Sequence, residues 1–217
     1  MLQLIFQRNF DFTQFLSIAI SSLAVIFLTL PAHEWAHAFV ATKLGDPTPK
    51  WQNRLSLNPF KHIDYIGALC IIFLGIGWAK PVEVNMQYFK NPKRDMAITA
   101  LAGPLMNLLI AFVLLLVLNL LSLIFELNLF IYYVFIYFAY INTSLAIFNL
   151  LPVPPFDGSR ILNAFLPDRI YYKIMQYEQI IFYVVLFILF TGAGSGVLSS
   201  ITSTVFGFIY WLASILF

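Results

Sequence analysis

Long apolar stretches separated by short polar ones dominate the hydropathy pattern of the chain. A helix that crosses a bilayer needs about 20 mostly apolar residues, and five stretches come close to this length or exceed it. They cover approximately residues 15–44, 96–125, 129–151, 175–191 and 197–217. The glycine-rich residues 192–196 separate the last two stretches, which predicts a C-terminal helical hairpin over about 175–217. The pattern therefore predicts an all-α integral membrane protein, a bundle of about five transmembrane helices.

A further apolar stretch, residues 66–78, differs from the five predicted spans. It is too short to cross a bilayer comfortably, and Gly67, Gly75 and Gly77 interrupt it. Polar segments that contain prolines flank it on both sides. These features favour a short re-entrant or strand-like segment, both ends of which lie on the same side of the membrane.

The composition agrees with a membrane protein and excludes several functional classes. Hydrophobic residues make up 61% of the chain and charged residues only 10%, whereas soluble domains carry about a quarter charged residues. So few polar side chains cannot cover a globule in water, which excludes a secreted or cytosolic enzyme. The net charge of +2 gives no basis for binding nucleic acid. Cys70 is the only cysteine, so a disulfide framework and a thiolate zinc site are excluded.

The basic residues predict the orientation of the helices. They concentrate in residues 43–61, 80–95 and 160–173, whereas the turn around Glu126 has neither lysine nor arginine. Because cytoplasmic loops carry an excess of these residues, the three basic stretches are expected inside and Glu126 outside. The amino terminus is then outside and the carboxyl terminus inside. No targeting peptide is evident, so the expected location is the plasma (inner) membrane of a bacterium.

Three ionisable side chains lie inside the first predicted span, in the run His33-Glu34-Trp35-Ala36-His37. Histidines at positions i and i+4 project from one face of a helix, close enough to bind one metal ion. Glu34 lies beside them, where it could take a proton from water at the metal. Ionisable groups inside a bilayer segment are costly and usually serve a function. The pattern is typical of metalloproteases in which two histidines hold zinc and the glutamate is the base.

A catalytic zinc ion needs a third protein ligand and an open position for water. His62, the remaining histidine, lies in a polar loop and could serve, but a carboxylate is equally suitable. Asp157 is the best-placed carboxylate, because it follows the inward end of a span and Gly158 allows a tight turn after it. His37 lies about 9 Å along its helix from the basic boundary at Lys43. Both halves of the site are thus expected at the cytoplasmic end, at similar depth.

Taken together, these residues resemble the site-2 protease family of intramembrane zinc metalloproteases. The resemblance rests on residues 33–37 and on the run from Asn149 to Gly158, and it covers about residues 31–160. Supporting motifs are Leu57-Asn58-Pro59 with His62 and Asp64, Gly77-Trp78-Ala79-Lys80-Pro81-Val82, and Ala102-Gly103-Pro104 with Asn107. Many members insert a PDZ domain between the two main motifs. Residues 80–95 are too few to hold one, so the chain looks like the compact form without a PDZ domain.

The resemblance implies a site and a reaction. One Zn²⁺ per chain would be held by His33, His37 and Asp157, with Glu34 as the catalytic base and Asn149 near the metal. The implied activity is regulated intramembrane proteolysis, the hydrolysis of a peptide bond within or near a transmembrane helix of a substrate protein. Developing negative charge on the carbonyl could be met by the amide of Asn149 or of Asn107. The substrate chain could pair as an added strand with residues 77–84.

Three alternatives stay open at this point. The first is a membrane metalloprotease of another type, with Glu178 as the third ligand. The second is an ion-coupled transporter that uses the buried carboxylates of Glu34 and Asp157. The third is an inactive scaffold of the same fold. Whichever holds, the chain is expected to form a single transmembrane domain over residues 1–217, with the metal-site core in about 13–160 and a lipid bilayer around it.

Overall fold

The computed structural model describes residues 11–74, 79–192 and 194–216, and within them the chain forms α-helices joined by turns and loops, without a β-strand. The predicted all-α class is confirmed. Two short 3₁₀ turns, Pro59–Lys61 and Met86–Tyr88, lie in the polar loops. In chain order the helices are α1 (Phe12–Leu44), α2 (Thr48–Trp51), α3 (Tyr65–Leu74), α4 (Pro92–Ile124), α5 (Leu129–Asn149), α6 (Asp157–Leu162), α7 (Asp168–Met175), α8 (Glu178–Phe190) and α9 (Ser195–Ser214).

Four of these helices, α1, α4, α5 and α9, are long and apolar enough to cross a membrane. They match four of the five predicted spans. The remaining predicted span, residues 175–191, forms the shorter helix α8, which has 13 residues. It begins only at Glu178, because a turn separates it from the preceding helix α7. A helix of this length rises about 20 Å, less than the hydrocarbon thickness of a bilayer.

Helices α1, α4 and α5 pack against one another and form the centre of the bundle, and α9 packs on α4 and α5. One apolar cluster joins α1, α3 and α5 through Val25, Leu30, Ile71 and Leu145. A second cluster joins α4, α5 and α9, with Leu115 at its centre. The outer faces of these helices carry exposed leucine, isoleucine and phenylalanine side chains. Such a surface suits hydrocarbon and not water, which agrees with an integral membrane protein.

Helix α1 contains one π-helical turn, Val25–Thr29, directly before the predicted metal motif. The amide of Leu30 bonds to the carbonyl of Val25, five residues back, and Pro31 then begins the next α-helical turn. A proline in the middle of a regular α-helix would remove one hydrogen bond and clash with the preceding turn. The widened turn accommodates it, and such turns are frequent at functional sites. At the other end Gly45, with φ of +112°, ends the helix directly after the predicted span of residues 15–44.

The re-entrant segment predicted at residues 66–78 begins as helix α3, and residues 75–78 lie outside the described part of the chain. Both ends of the segment meet, because the Lys80 amide donates to the carbonyl oxygen of His62 over 2.8 Å. Residues 79–85 then form a segment without regular secondary structure, which we call the strap. The Asn85 amide at its end donates to the buried carboxylate of Asp46 over 2.7 Å. The strap is therefore fixed at both ends beside α1.

Candidate metal centre

The two histidines of α1 lie side by side and are buried. Their Nε2 atoms are 3.0 Å apart, and the imidazole rings are nearly perpendicular, with an interplanar angle of 81°. This arrangement follows from the helix itself, since residues four apart lie on one face. His33 and His37 thus direct one nitrogen each to the same point, on the face of α1 that packs against α4.

Asp157 reaches this point from a distant part of the chain. Its Oδ2 atom is 3.3 Å from Nε2 of His33 and 3.3 Å from Nε2 of His37. Helix α6 begins at Asp157, directly after the turn that ends α5, and packs against α4. Gly158 makes this approach possible, because a Cβ atom there would collide with the main-chain carbonyls of Leu150 and Leu151. Within the described residues, these three side chains form the single group of three His, Cys, Asp or Glu side chains close enough to share a metal ion.

Hydrogen bonds on the far side of each imidazole define which nitrogen faces the centre. Nδ1 of His37 lies 2.7 Å from the carbonyl oxygen of Thr99, which can only accept a hydrogen bond. Nδ1 of His33 lies 3.3 Å from Oδ1 of Asn107. In the neutral imidazoles the hydrogen therefore sits on Nδ1, and Nε2 presents a lone pair. Two nitrogen lone pairs and the carboxylate oxygen of Asp157 then face one another at 3.0–3.3 Å.

Three such electron-pair donors repel one another unless a cation lies between them. Tetrahedral zinc has bonds of about 2.0–2.1 Å to nitrogen and oxygen, which separates neighbouring ligand atoms by about 3.3–3.4 Å. The observed separations, 3.0 to 3.3 Å, are close to this value. Two histidines and one carboxylate also match the donor set of catalytic zinc, and leave one position open. The residues present therefore fit a zinc ion.

Helix α4 supplies the support behind both histidines. Thr99, Gly103 and Asn107 are four residues apart, so they share one face of the helix, and all three are buried. Gly103 lies against the imidazoles: a Cβ atom there would be 2.5 Å from Nε2 of His33 and closer still to Nε2 of His37. The absence of a side chain at Gly103 thus leaves the room in which the three ligand atoms converge.

Glu34 lies on the same turn of α1 as the histidines and is also buried. Its Oε2 atom accepts a hydrogen bond of 2.9 Å from the main-chain amide of Val82, in the strap. The carboxylate is thereby fixed between the histidine pair and the strap. A carboxylate held beside a metal site in this way is suited to take up and release a proton.

A cavity of about 220 Å³ opens in front of the three ligands and Glu34. Two of its walls are apolar. They include Leu30 of α1, Leu145 and Phe148 of α5, Phe156 before α6, and Phe182 and Leu186 of α8. Another wall is the strap, with Ala79, Pro81 and Val82, and the cavity also contacts Asn149 and Arg160. A polar centre at the end of an apolar cleft suits an extended peptide with apolar side chains.

The other residues singled out in the sequence lie in different surroundings. Asn149 lines the cavity, half-buried, and its Nδ2 donates to the carbonyl oxygen of Leu145 over 2.9 Å. Asn107 is directed to His33 instead of the cavity, so it does not lie where developing carbonyl charge would be. His62 is fully buried away from the ligand group, and its Nε2 donates to the carbonyl oxygen of Ser56 over 2.7 Å. Glu178 does not belong to the ligand group either, which leaves Asp157 as the third member.

His62 is held as a neutral imidazole. Burial lowers the pKa of His62, and the hydrogen bond to Ser56 offsets this shift only in part. A neutral ring bound to a loop carbonyl serves the packing of the loop next to the strap. The main-chain carbonyl oxygen of His62 accepts a hydrogen bond from the Lys80 amide, so His62 supports the strap through the backbone.

Some contributors to the site carry no clear signal in the sequence. Thr99 acts through its main-chain carbonyl and Val82 through its main-chain amide, so their side-chain identities indicate nothing. The supporting face of α4 has a detectable pattern, because buried small or polar residues recur every four positions from Asp95 to Ala111. That spacing is typical of a helix face in close contact with a neighbour.

Comparison with known proteins shows which family the chain resembles. The family model described as "Peptidase family M50" matches residues 123–192. A Bacillus subtilis (strain 168) protein named "Putative zinc metalloprotease YwhC" is 38% identical over 194 residues, covering 85% of this chain and 89% of that protein. Rip2 of Mycobacterium tuberculosis, which carries the same description, is 27% identical over 194 residues, covering 85% of this chain and 70% of Rip2.

The match to an archaeal relative covers fewer residues. The protein MJ0392 of Methanocaldococcus jannaschii, named a zinc metalloprotease, is 30% identical over 145 residues, which cover 67% of this chain and 34% of that protein. No solved structure matches the chain significantly. The relatives therefore share a description as zinc metalloproteases, and the B. subtilis protein matches over nearly its whole length.

Proposed function

Since the chain belongs to peptidase family M50, the site-2 proteases, and is a zinc metalloprotease of the membrane, we propose that it cleaves a peptide bond within or near a transmembrane helix of a substrate protein. The observation that carries this proposal is the convergence of His33, His37 and Asp157 at 3.0–3.3 Å, beside Glu34 and an apolar cavity. In this proposal His33, His37 and Asp157 are the zinc ligands, and Glu34 is the base.

Each residue has a definite task in this reaction. Zinc held by the three ligands would lower the pKa of a water molecule to about 7 and polarise the carbonyl group to be cleaved. Glu34 takes a proton from the attacking water as the new carbon–oxygen bond forms. Glu34 then gives this proton to the amine nitrogen as the carbon–nitrogen bond breaks. Asn149 borders the cavity, and its amide is partly engaged with Leu145, so its contribution to charge stabilisation is secondary.

The substrate must present an extended stretch of chain to the cavity. A peptide bond in an intact helix is covered by side chains and by its own hydrogen bonds. We therefore propose that substrates unwind near glycine, proline or asparagine, and that the unwound stretch lies along the strap. Val82 in the strap is buried, whereas Gly77 and Trp78, the first residues of the segment predicted to pair with the substrate chain, lie outside the described residues.

The orientation follows from the charges of the loops. Basic residues lie around the metal end of α1 and on α6 and α7: Lys43 at the end of α1, Lys50 in α2, Lys90 and Arg94 around the start of α4, Arg160 in α6 and Arg169 in α7. By the excess of basic residues in cytoplasmic loops, we propose that the cavity faces the cytoplasmic side of a bacterial plasma membrane. The single transmembrane domain, residues 1–217, remains a prediction. The transporter and the inactive scaffold are less well supported, because the relatives are described as metalloproteases.

The direct test measures zinc and cleavage together. The detergent-purified protein is expected to contain one zinc ion per chain. In vesicles, it should cleave a single-span peptide with glycine and proline in its cytoplasmic half, and a matched all-leucine peptide much more slowly. A chelator should stop cleavage, and added zinc should restore it. Cleavage that persists in zinc-free protein would contradict the proposed function.

A second test concerns the support of His33. Replacing Asn107 with leucine removes the acceptor for Nδ1 of His33 and should weaken zinc binding about 10–100-fold, as loss of a ligand's hydrogen-bond partner typically does. Asn107→Asp keeps an acceptor oxygen and should bind zinc close to normally. Competition with a chelating zinc indicator measures both affinities.

The matched control for Asn107 is Thr99→Val on the same helix face. It removes the Thr99 hydroxyl, which donates to the carbonyl oxygen of Asp95. It keeps the Thr99 carbonyl oxygen, which accepts the hydrogen bond from Nδ1 of His37. Zinc affinity should therefore change little. If Asn107→Leu binds zinc as tightly as the wild type, Asn107 does not position His33.

A further inference from the structure

Arg160 is a cation in the wall of the cavity that the reaction described above does not use. It lies on α6, three residues after Asp157, and is half-buried. Among the described residues that line the cavity it is the only lysine or arginine. In the described part of the chain it makes no salt bridge, whereas Lys93 pairs with Asp168 and Arg94 with Asp95. Its guanidinium is thus charged and available to a ligand.

The position of Arg160 brings it within reach of a group bound beside Asp157. Residues three apart on a helix share one face, with Cβ atoms about 5–6 Å apart. The arginine side chain is long and flexible, and its five N–H donors remain protonated at any physiological pH. Both Asp157 and Arg160 contact the same cavity.

The charges around the cavity indicate what this cation binds. Two neutral histidines, the carboxylates of Asp157 and Glu34, and a zinc ion would sum to zero. Arg160 adds one positive charge, so the cavity is positive overall and attracts negative charge. During peptide hydrolysis the proton taken from water neutralises Glu34, and negative charge develops instead on the oxygen of the carbonyl group under attack. Arg160 is the positive side chain in the wall that can interact with this oxygen. Asn149, which also lines the cavity, already donates an amide hydrogen to the carbonyl oxygen of Leu145.

We infer that the Arg160 guanidinium binds the carbonyl oxygen of the scissile peptide bond and stabilises the negative charge that it gains in the transition state. Arg160 is then a catalytic residue, in addition to Glu34. The inference rests on the proposed proteolytic function and adds a ligand class for this part of the cavity, an anionic oxygen on the substrate backbone. It assigns Arg160 a larger part in charge stabilisation than Asn149.

The test replaces Arg160 with methionine, which keeps the apolar part of the side chain and removes the charge. We expect kcat to fall about 10²–10³-fold, as for the loss of one oxyanion donor, while KM and zinc content stay near the wild-type values. A phosphonamidate peptide, an anionic mimic of the transition state, should bind more weakly by a similar factor. The matched control is Arg169→Met on α7, an exposed arginine outside the cavity, which should leave kcat unchanged.

A second variant keeps the inference testable if Arg160→Met does not fold. Arg160→Lys retains the charge but not the fork of donors, so it should bind zinc fully and lose at least about tenfold in kcat. Wild-type kcat and phosphonamidate affinity in zinc-loaded Arg160→Met or Arg160→Lys would overturn the inference. A change in KM alone, confined to peptides with an acidic side chain beside the cleaved bond, would also overturn it, since Arg160 would then bind that side chain.

The same experiment separates this inference from the proposed function. If the wild type cleaves the peptide and the Arg160→Met variant is unaffected, the inferred role of Arg160 is wrong. The proposed proteolysis then still stands. A zinc-loaded wild type that cleaves no membrane peptide counts against the proposed proteolysis. In that case the affinities of wild type and Arg160→Met for the phosphonamidate still test whether Arg160 binds an anionic oxygen in the cavity.

Discussion

Replacing Glu34 with glutamine is expected to reduce peptide cleavage by about 10²–10⁴-fold while the protein keeps one zinc ion per chain. Glutamine has the size and shape of glutamate, and its amide oxygen can still accept the hydrogen bond from the Val82 amide. The fold and the histidine pair should therefore be unchanged. The amide cannot take a proton from water at neutral pH, so the reaction loses its base. Cleavage of a single-span peptide in vesicles and metal analysis of the same sample measure the two effects.

The control for Glu34 lies nearby on the strap. Glu83 is exposed and accepts a hydrogen bond of 2.6 Å from Gln52 at the surface of the loop. The change from Glu83 to glutamine is chemically identical but lies outside the cavity, so kcat should stay near the wild-type value. Normal cleavage by Glu34→Gln would show that another group takes the proton from water, and the assignment of the base would then be wrong.

The long helices could be predicted from the sequence because hydropathy alone determines them. The predicted boundaries of α1, α4 and α5 agree with the structure to within a few residues, and α1 ends at Leu44, the predicted end of the first span. Helix α8 shows the limit of this approach. Its apolar run suggests a span, but whether thirteen residues cross a membrane depends on neighbouring helices and on local thinning of the bilayer, which the local pattern does not contain.

The candidate site divides in the same way into local and non-local parts. His33, Glu34 and His37 lie within one helical turn, so their arrangement follows from local geometry. The approach of Asp157 depends on how α6 packs on α4, and the sequence indicated only its side of the membrane and its depth. The hydrogen bond from Val82 to Glu34 involves a backbone amide, which no residue type reveals.

The metal centre also joins parts of the chain that are far apart in sequence. The histidines come from α1, their hydrogen-bond acceptors from α4 and the carboxylate from α6. A cation bound at this point would therefore connect three helices. It follows that removal of one ligand should change both the zinc affinity and the stability that zinc confers on the fold.

Replacing Asp157 with alanine is expected to weaken zinc binding by at least about 100-fold, more than the loss of a supporting residue such as Asn107. Two neutral histidines cannot supply the negative charge or the third donor that the ion requires. Cleavage should be lost along with the metal. The wild type in zinc at 100 times its Kd gains about 2.7 kcal/mol of stability, so its Tm should rise when zinc is added. At the same zinc concentration the Tm of Asp157→Ala should hardly change.

Asp168→Ala is the matched control. Asp168 lies at the start of α7, is exposed and forms a salt bridge with Lys93. Exposed ion pairs contribute little, so this variant should bind zinc and respond to it as the wild type does. The comparison of the two aspartates decides the identity of the third ligand. If Asp157→Ala kept one tightly bound zinc ion, the histidine pair would have to be completed by another residue, and the close approach of Asp157 to both Nε2 atoms would not reflect metal binding.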